Sequence, residues 1–205
     1  MKKISANFES DFRAAYLGGV IPSNTDYLES YKEGYEKTCY QVYCNAYDSA
    51  LKFLVIGRIV KDGVPPIGLS ELEEKNFLFT NEQRTGSILR VEDKKWTVMI
   101  NDSWVIGGIN ALLPFYVASP RQRQNIYHDT YQFTVTGREL IGLTHFGYQP
   151  ISHPQLGEVF VCKDAKRAQG ATLTEYERRY CGLREEVKKR NLSNSDNLLV
   201  SPEYK

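Results

Sequence analysis

The chain has 205 residues, 41% hydrophobic and 25% charged, with 26 Lys and Arg against 25 Asp and Glu for a formal net charge of +1. A chain of this length buries most of its surface without a disulfide or metal to hold a core. The composition excludes disorder as the main state, and the charge balance excludes a general attraction to nucleic acid or membranes. Tyrosine stands out: 14 Tyr against 9 Phe and 2 Trp, with half of the Tyr between Tyr16 and Tyr47.

In chain order, residues 6–17 fit a short helix with Phe8, Phe12 and Tyr16 at four-residue spacing, ended by Gly18, Gly19 and Pro22. Asp26 and Glu29 approximate a capping box for a long helix over 27–58. The ladder Tyr27, Tyr31, Tyr35, Cys39, Tyr43, Tyr47 rotates by about 40° per step, so it is a spiral and not a face. The face that keeps the helical period is Leu28, Tyr31, Tyr35, Cys39, Val42, Ala46, Ala50 and Phe53. Tyr40, Tyr43, Tyr47, Leu51 and Leu54 form a second stripe on one flank. Gly34 marks a bend or a close helix contact.

Gly63-Val64-Pro65-Pro66 opens a loop, Ser70 to Phe79 reads as a short helix or irregular segment, and Asn81 to Gly86 as a connector. From Ser87 the texture turns to β. Ile88, Arg90 and Glu92 alternate with Leu89 and Val91, and Glu92-Asp93-Lys94 is a hairpin turn. Trp96, Val98 and Ile100 alternate in a second strand, Asn101-Asp102-Ser103 is a turn, and Trp104 to Ile106 begins a third strand. Gly107-Gly108 marks a bulge, a break or a close backbone approach. Ile109 to Ala118 stays ambiguous because of Pro114, and Ser119 to Asn125 is expected as an exposed loop.

Tyr131, Phe133 and Val135 alternate as a further strand. Thr136 and Glu139 form a capping box for a helix running toward Phe146, stopped by Gly147. Gln149 to Gly157 is a proline-punctuated loop, Glu158 to Cys162 a strand, and Thr172 with Glu175 caps a basic helix. The expected architecture is α+β: one compact domain over 1–190, with a helical subregion 1–62 and a sheet region 63–190, then a polar tail over 191–205. A long N-terminal helix region would pack on a mostly antiparallel sheet with inserted short helices and a C-terminal helix.

Site chemistry is sparsely signalled. Cys39, Cys44, Cys162 and Cys181 form no CxxC or CxxH pair, so neither a zinc knuckle nor a redox motif is expected, and no metal or cofactor is assigned. No phosphate-cradling glycine loop and no GxSxG elbow occurs. Asn7, Glu9, Asp11 and Arg13 interrupt any apolar run after Lys2 and Lys3, so a signal peptide is not expected, and Arg58 with the shortness of the most apolar stretch, Phe53 to Val60, excludes a membrane span. A cytoplasmic location is expected, with signal-independent export left open. Glu175-Tyr176-Glu177 superficially resembles the glutamate-x-glutamate element of ADP-ribosylating toxins, with Arg90 for their strand arginine. The same glutamates fit the first turn of a helix, and that reading is adopted.

Three functions follow as expectations. The first is a non-enzymatic interaction module, a bacterial-type accessory, adaptor or immunity-like protein. It would meet a protein partner through Tyr40, Tyr43, Tyr47, Trp96 and Trp104, since aromatic residues are enriched at interfaces. The second is a small hydrolase or transferase using His145, His153 and Glu158 around a cleft. The third is nucleic-acid binding by the basic segment Arg178 to Arg190, read otherwise as a solvated helix face.

Overall fold

The computed structural model describes residues 6–16, 35–47, 51–58, 86–89, 91, 96–128, 133–154, 157–189 and 199–201. The helices are α1 (Ala6–Tyr16), α2 (Tyr35–Tyr47), α3 (Val98–Asn110), α4 (Arg123–Ile126), α5 (Val135–His145), α6 (Ala165–Gln169) and α7 (Leu173–Lys189). The strands are β1 (Phe53–Ile56), β2 (Gly86–Ser87), β3 (Phe115–Val117), β4 (Tyr148–His153) and β5 (Gly157–Cys162). They form one mixed sheet in the order β2-β1-β3-β5-β4. The β2-β1-β3 side is parallel, and the β3-β5-β4 side is antiparallel. The α+β class is therefore the observed one, with an antiparallel half joined to a parallel half.

α1 forms where the spacing places it, and Phe8, Phe12 and Tyr16 are all buried. On α2, Cys39 and Ala46 are buried and Val42 is partly buried, as the expected core face requires. The helix does not continue to Arg58. Phe53-Leu54-Val55-Ile56 is instead a strand, buried at every position between β2 and β3. A short apolar run of this kind has no period that separates a buried strand from a buried helix. Leu51 and Leu54 thus leave the flank, which reduces to Tyr40, Tyr43 and Tyr47.

The largest correction is α3. The alternation of Trp96, Val98 and Ile100 belongs to no strand, Asn101-Asp102-Ser103 is no turn, and Trp104 to Ile106 is helical. Thr97 caps this helix, its hydroxyl accepting the Ile100 N–H at 3.3 Å. Every residue from Met99 to Ile109 is buried, so no polar face exists to reveal the 3.6-residue period. Gly107 and Gly108 are close-approach sites: a Cβ on Gly107 would collide with the Tyr43 carbonyl oxygen of α2, and one on Gly108 with Leu54 of β1. These two glycines let the central helix lie against both neighbours.

Thr134, two residues before the expected cap, starts α5 by accepting the Gly137 N–H at 3.0 Å. Val135 therefore opens a helix, and the expected strand around Phe133 is a single bridge to Tyr127. Gly147 follows the helix with φ +85°, as its stop role requires. The expected loop from Gln149 is strand β4, where Pro150 is tolerated because β4 is a sheet edge. Ser119, Arg121 and Asn125 are buried, so the expected exposed loop is part of the packed structure.

α7 is capped twice. The Thr172 hydroxyl accepts the Glu175 N–H at 3.1 Å, and the Asp11 carboxylate of α1 accepts the N–H groups of Leu173 (2.7 Å) and Thr174 (3.1 Å). A carboxylate at a helix N-terminus satisfies donors that the helix itself cannot. Leu199 and Val200 are buried in the main core cluster, which shows where part of the tail docks. Outside the described residues lie the Asp26–Glu29 cap, the first turns of the long helix with Gly34, and the elements expected over 59–85. So do Arg90, the Glu92-Asp93-Lys94 turn, Tyr131, Arg190 and most of the tail.

Candidate functional site

Four helices meet at a buried ionic cluster. Arg138 of α5 donates Nε to Asp102 Oδ1 at 2.9 Å and Nη2 to Asp102 Oδ2 at 2.6 Å, a two-pronged pair. The same Nη2 donates to Glu177 Oε2 of α7, and the Tyr16 hydroxyl of α1 donates to Asp102 Oδ2 at 2.7 Å. The guanidinium carbon lies 4.0 Å from the Tyr180 ring centre and 5.4 Å from that of Tyr176. The Tyr176 hydroxyl donates to the Arg138 carbonyl at 2.8 Å, and the Cys181 thiol to Glu177 Oε1 at 3.3 Å. Asp102 is 0% exposed.

The electrostatics follow from this burial. Burial raises the Asp102 carboxyl while the Arg138 charge and hydrogen bonds hold it down, and burial also raises the Tyr16 hydroxyl. Glu139, next to Arg138 on α5, is pushed up to about 8, mainly by burial and further by the Asp102 charge, with Asn101 acting the other way. It therefore carries its proton at neutral pH, and its Oε2 has no hydrogen-bond partner. Cys39 is pushed up to about 12 by burial, which keeps it a thiol and not a nucleophile. The cluster ties α1, α3, α5 and α7 together, and Tyr16, Asp102, Arg138 and Glu177 are all buried within it.

No sequence motif marks this cluster: Asp102 reads as a turn residue, Glu139 as a capping partner and Glu177 as a first-turn acid. The usable signal is that Asp102 is the single charged residue in the 13 residues of α3. A lone carboxylate on an enclosed helix has to meet a buried cation or take up a proton.

The surface site is on α2. Tyr40 and Tyr43 stack with ring centres 6.3 Å apart, and Tyr43 and Tyr47 with centres 5.8 Å apart, each pair inclined by 14°. Phe8 of α1 backs the first two at 5.1 Å. The Tyr43 hydroxyl donates to Asn110 Oδ1 at 3.1 Å, which anchors the middle ring to α3. Tyr40 and Tyr43 are partly buried, and Tyr47 is 48% exposed. Of the two tryptophans, Trp96 is 38% exposed just before α3, whereas Trp104 is 3% exposed inside it. Trp104 is thus a core residue and cannot face a partner.

His145, His153 and Glu158 have separate surroundings. His145 ends α5, with Nε2 2.7 Å from Glu175 Oε1 and Nδ1 3.2 Å from an Arg167 nitrogen. His153 sits opposite Gly157 at the far end of the β4–β5 hairpin, five residues from Tyr148 and therefore roughly 16 Å along the strand. Glu158 is held by Arg121 through two bonds, of 2.6 and 2.8 Å. The fold does not gather these three around one reacting atom.

On α7, Glu175 and Glu177 point about 160° apart. One meets His145 at the surface and the other is buried on Arg138, so the likeness to a paired-glutamate element does not extend to the geometry. The cations of α7 include Arg178 on the exposed face and Lys188, which pairs with Glu185 at 3.2 Å. Among the described residues no group of His, Cys, Asp and Glu is arranged to hold a metal, and no helix is long and apolar enough to cross a membrane.

No protein-family model matches the chain, and neither a curated protein nor a solved structure is significantly similar to it.

Proposed function

We propose that the chain is a protein-interaction module, an accessory, adaptor or immunity-like protein, that meets its partner through the row Tyr40–Tyr43–Tyr47. The observation that carries this reading is the stacking of three tyrosines along one face of α2, ending in the exposed Tyr47. Tyrosine offers a large, rigid, amphipathic contact with only two side-chain torsions to fix on binding. Phe8 and Asn110 already hold the row in place, so little further ordering is needed when a partner arrives. Tyr47 contributes nothing visible to the core, which leaves its exposed ring available for contact.

A photo-crosslinking amino acid at position 47 tests this, with the same group at Thr38, exposed on another side of α2, as the control. In cells of the source organism, a discrete adduct from position 47, absent from 38 and lost with Tyr40→Ser, is the expected result. Equal, diffuse labelling from both positions would remove the tyrosine row from the function.

A further inference from the structure

Arg121 lies in a stretch whose composition suggests a solvated loop, yet it is 5% exposed. Glu158 of β5 grips its guanidinium through Nε and Nη2, and the guanidinium carbon lies 5.3 Å from the centre of the Phe160 ring. The pair fixes the plane of the guanidinium and balances its charge using sheet residues alone. The remaining nitrogen, Nη1, donates to the Leu199 carbonyl at 3.0 Å, and the Arg121 carbonyl accepts the Ser201 N–H at 3.0 Å. Leu199 and Val200, between and beside these bonds, are buried in the core cluster.

Two features make this a receptor-like arrangement. The groups that recognise the segment are preorganised by partners outside it, so they keep their geometry when it leaves. What they recognise is a backbone carbonyl, an N–H two residues on, and two apolar side chains, which many peptides carry.

We propose that Arg121, Glu158 and Phe160 form a peptide-binding site, filled in cis by Leu199-Val200-Ser201, that accepts from a partner peptide an apolar pair of residues with its flanking backbone carbonyl and N–H. Tethering gives the chain's own segment a high effective concentration, so it excludes other peptides until it is released. This site shares no residue with the tyrosine row and does not depend on it.

The test uses the full-length chain with Val200→Asp, which places a charge where an apolar side chain is buried. The probe is a fluorescent peptide of residues 190–205. The expected result is that the variant binds the probe at least about tenfold more tightly than the unaltered chain, because the tethered competitor is disabled. Adding Arg121→Ala abolishes that binding. A folded Val200→Asp chain that binds no probe, or binds it no better than the unaltered chain, overturns the proposal. Amide exchange on the unaltered chain decides the matter if the variant does not fold. A segment that leaves independently lets the Ser201 amide exchange at least about tenfold faster than amides in the middle of α5. Exchange of both at one rate makes the segment an inseparable part of the fold and overturns the proposal.

Discussion

The buried cluster around Arg138 and the exposed row of tyrosines on α2 use similar side chains to opposite ends. In the cluster, Tyr16, Tyr176 and Tyr180 surround charged groups, and each polar contact is turned inward to Asp102, Arg138 or Glu177. In the row, Tyr43 is tied to the body of the protein through its hydroxyl, and Tyr47 presents its ring to solvent. A hydroxyl in an enclosed site has to be satisfied within the protein, and it then acts as a strut. A hydroxyl at the surface leaves the ring available for another molecule. The tyrosine excess is therefore two populations: one is expected to govern stability, the other binding.

That separation can be broken experimentally, and the largest effect is expected at Arg138. Arg138→Met leaves two carboxylates buried without their cation and should lower the unfolding free energy by about 3–5 kcal/mol, measured by denaturant titration. A loss below about 1 kcal/mol would mean that the cluster does not hold the helices together.

The next effect is on pH dependence. Glu139 is pushed up to about 8 in the folded chain, above its value near 4.5 when unfolded. Between those values the native state holds a proton that the unfolded state has released, so stability falls as pH rises through this window and levels off above it. Glu139→Gln should remove a decline of up to about 3 kcal/mol between about pH 5.5 and about pH 7.5. Parallel stability profiles for the two proteins would contradict the burial of Glu139 as a neutral acid.

Tyr16→Phe deletes one hydrogen bond to a charged, buried acceptor and should cost about 1.5 kcal/mol, read from the same denaturation curves. The smallest stability effect is expected at the surface. Tyr47→Ser should change stability by less than about 0.5 kcal/mol, read from the same curves. If Tyr47→Ser instead destabilises as much as Tyr16→Phe, the two populations are one.

Much of the helical framework was legible wherever one face is polar. α1 and the core face of α2 follow from spacing, and the Thr172 cap and the Gly147 stop follow from short-range chemistry. The Tyr40–Tyr43–Tyr47 flank emerges from helical geometry once the four-residue ladder is recognised as a spiral. Legibility ended where an element is enclosed on all sides. α3 and β1 show no alternation between wet and dry faces, so a helix read as strands and a strand read as helix. Pro150 on β4 was legible as a strand breaker only in a central position, and its edge position is a property of the sheet.

By itself the sequence determined the α+β class, the helices with a polar side, the absence of metal- or phosphate-binding motifs and the clustering of tyrosines. Those are encoded in composition and in spacings of three to five residues. Tertiary structure alone decided that Asp102, Arg138, Glu177 and Tyr16 converge and that Trp104 turns inward. It also decided that Arg121 is buried against Glu158 and Leu199, and that His145, His153 and Glu158 do not share a site. The members of the Arg138 cluster lie 36, 39 and 86 residues apart in the chain, and a charge in an enclosed helix selects its partner through space.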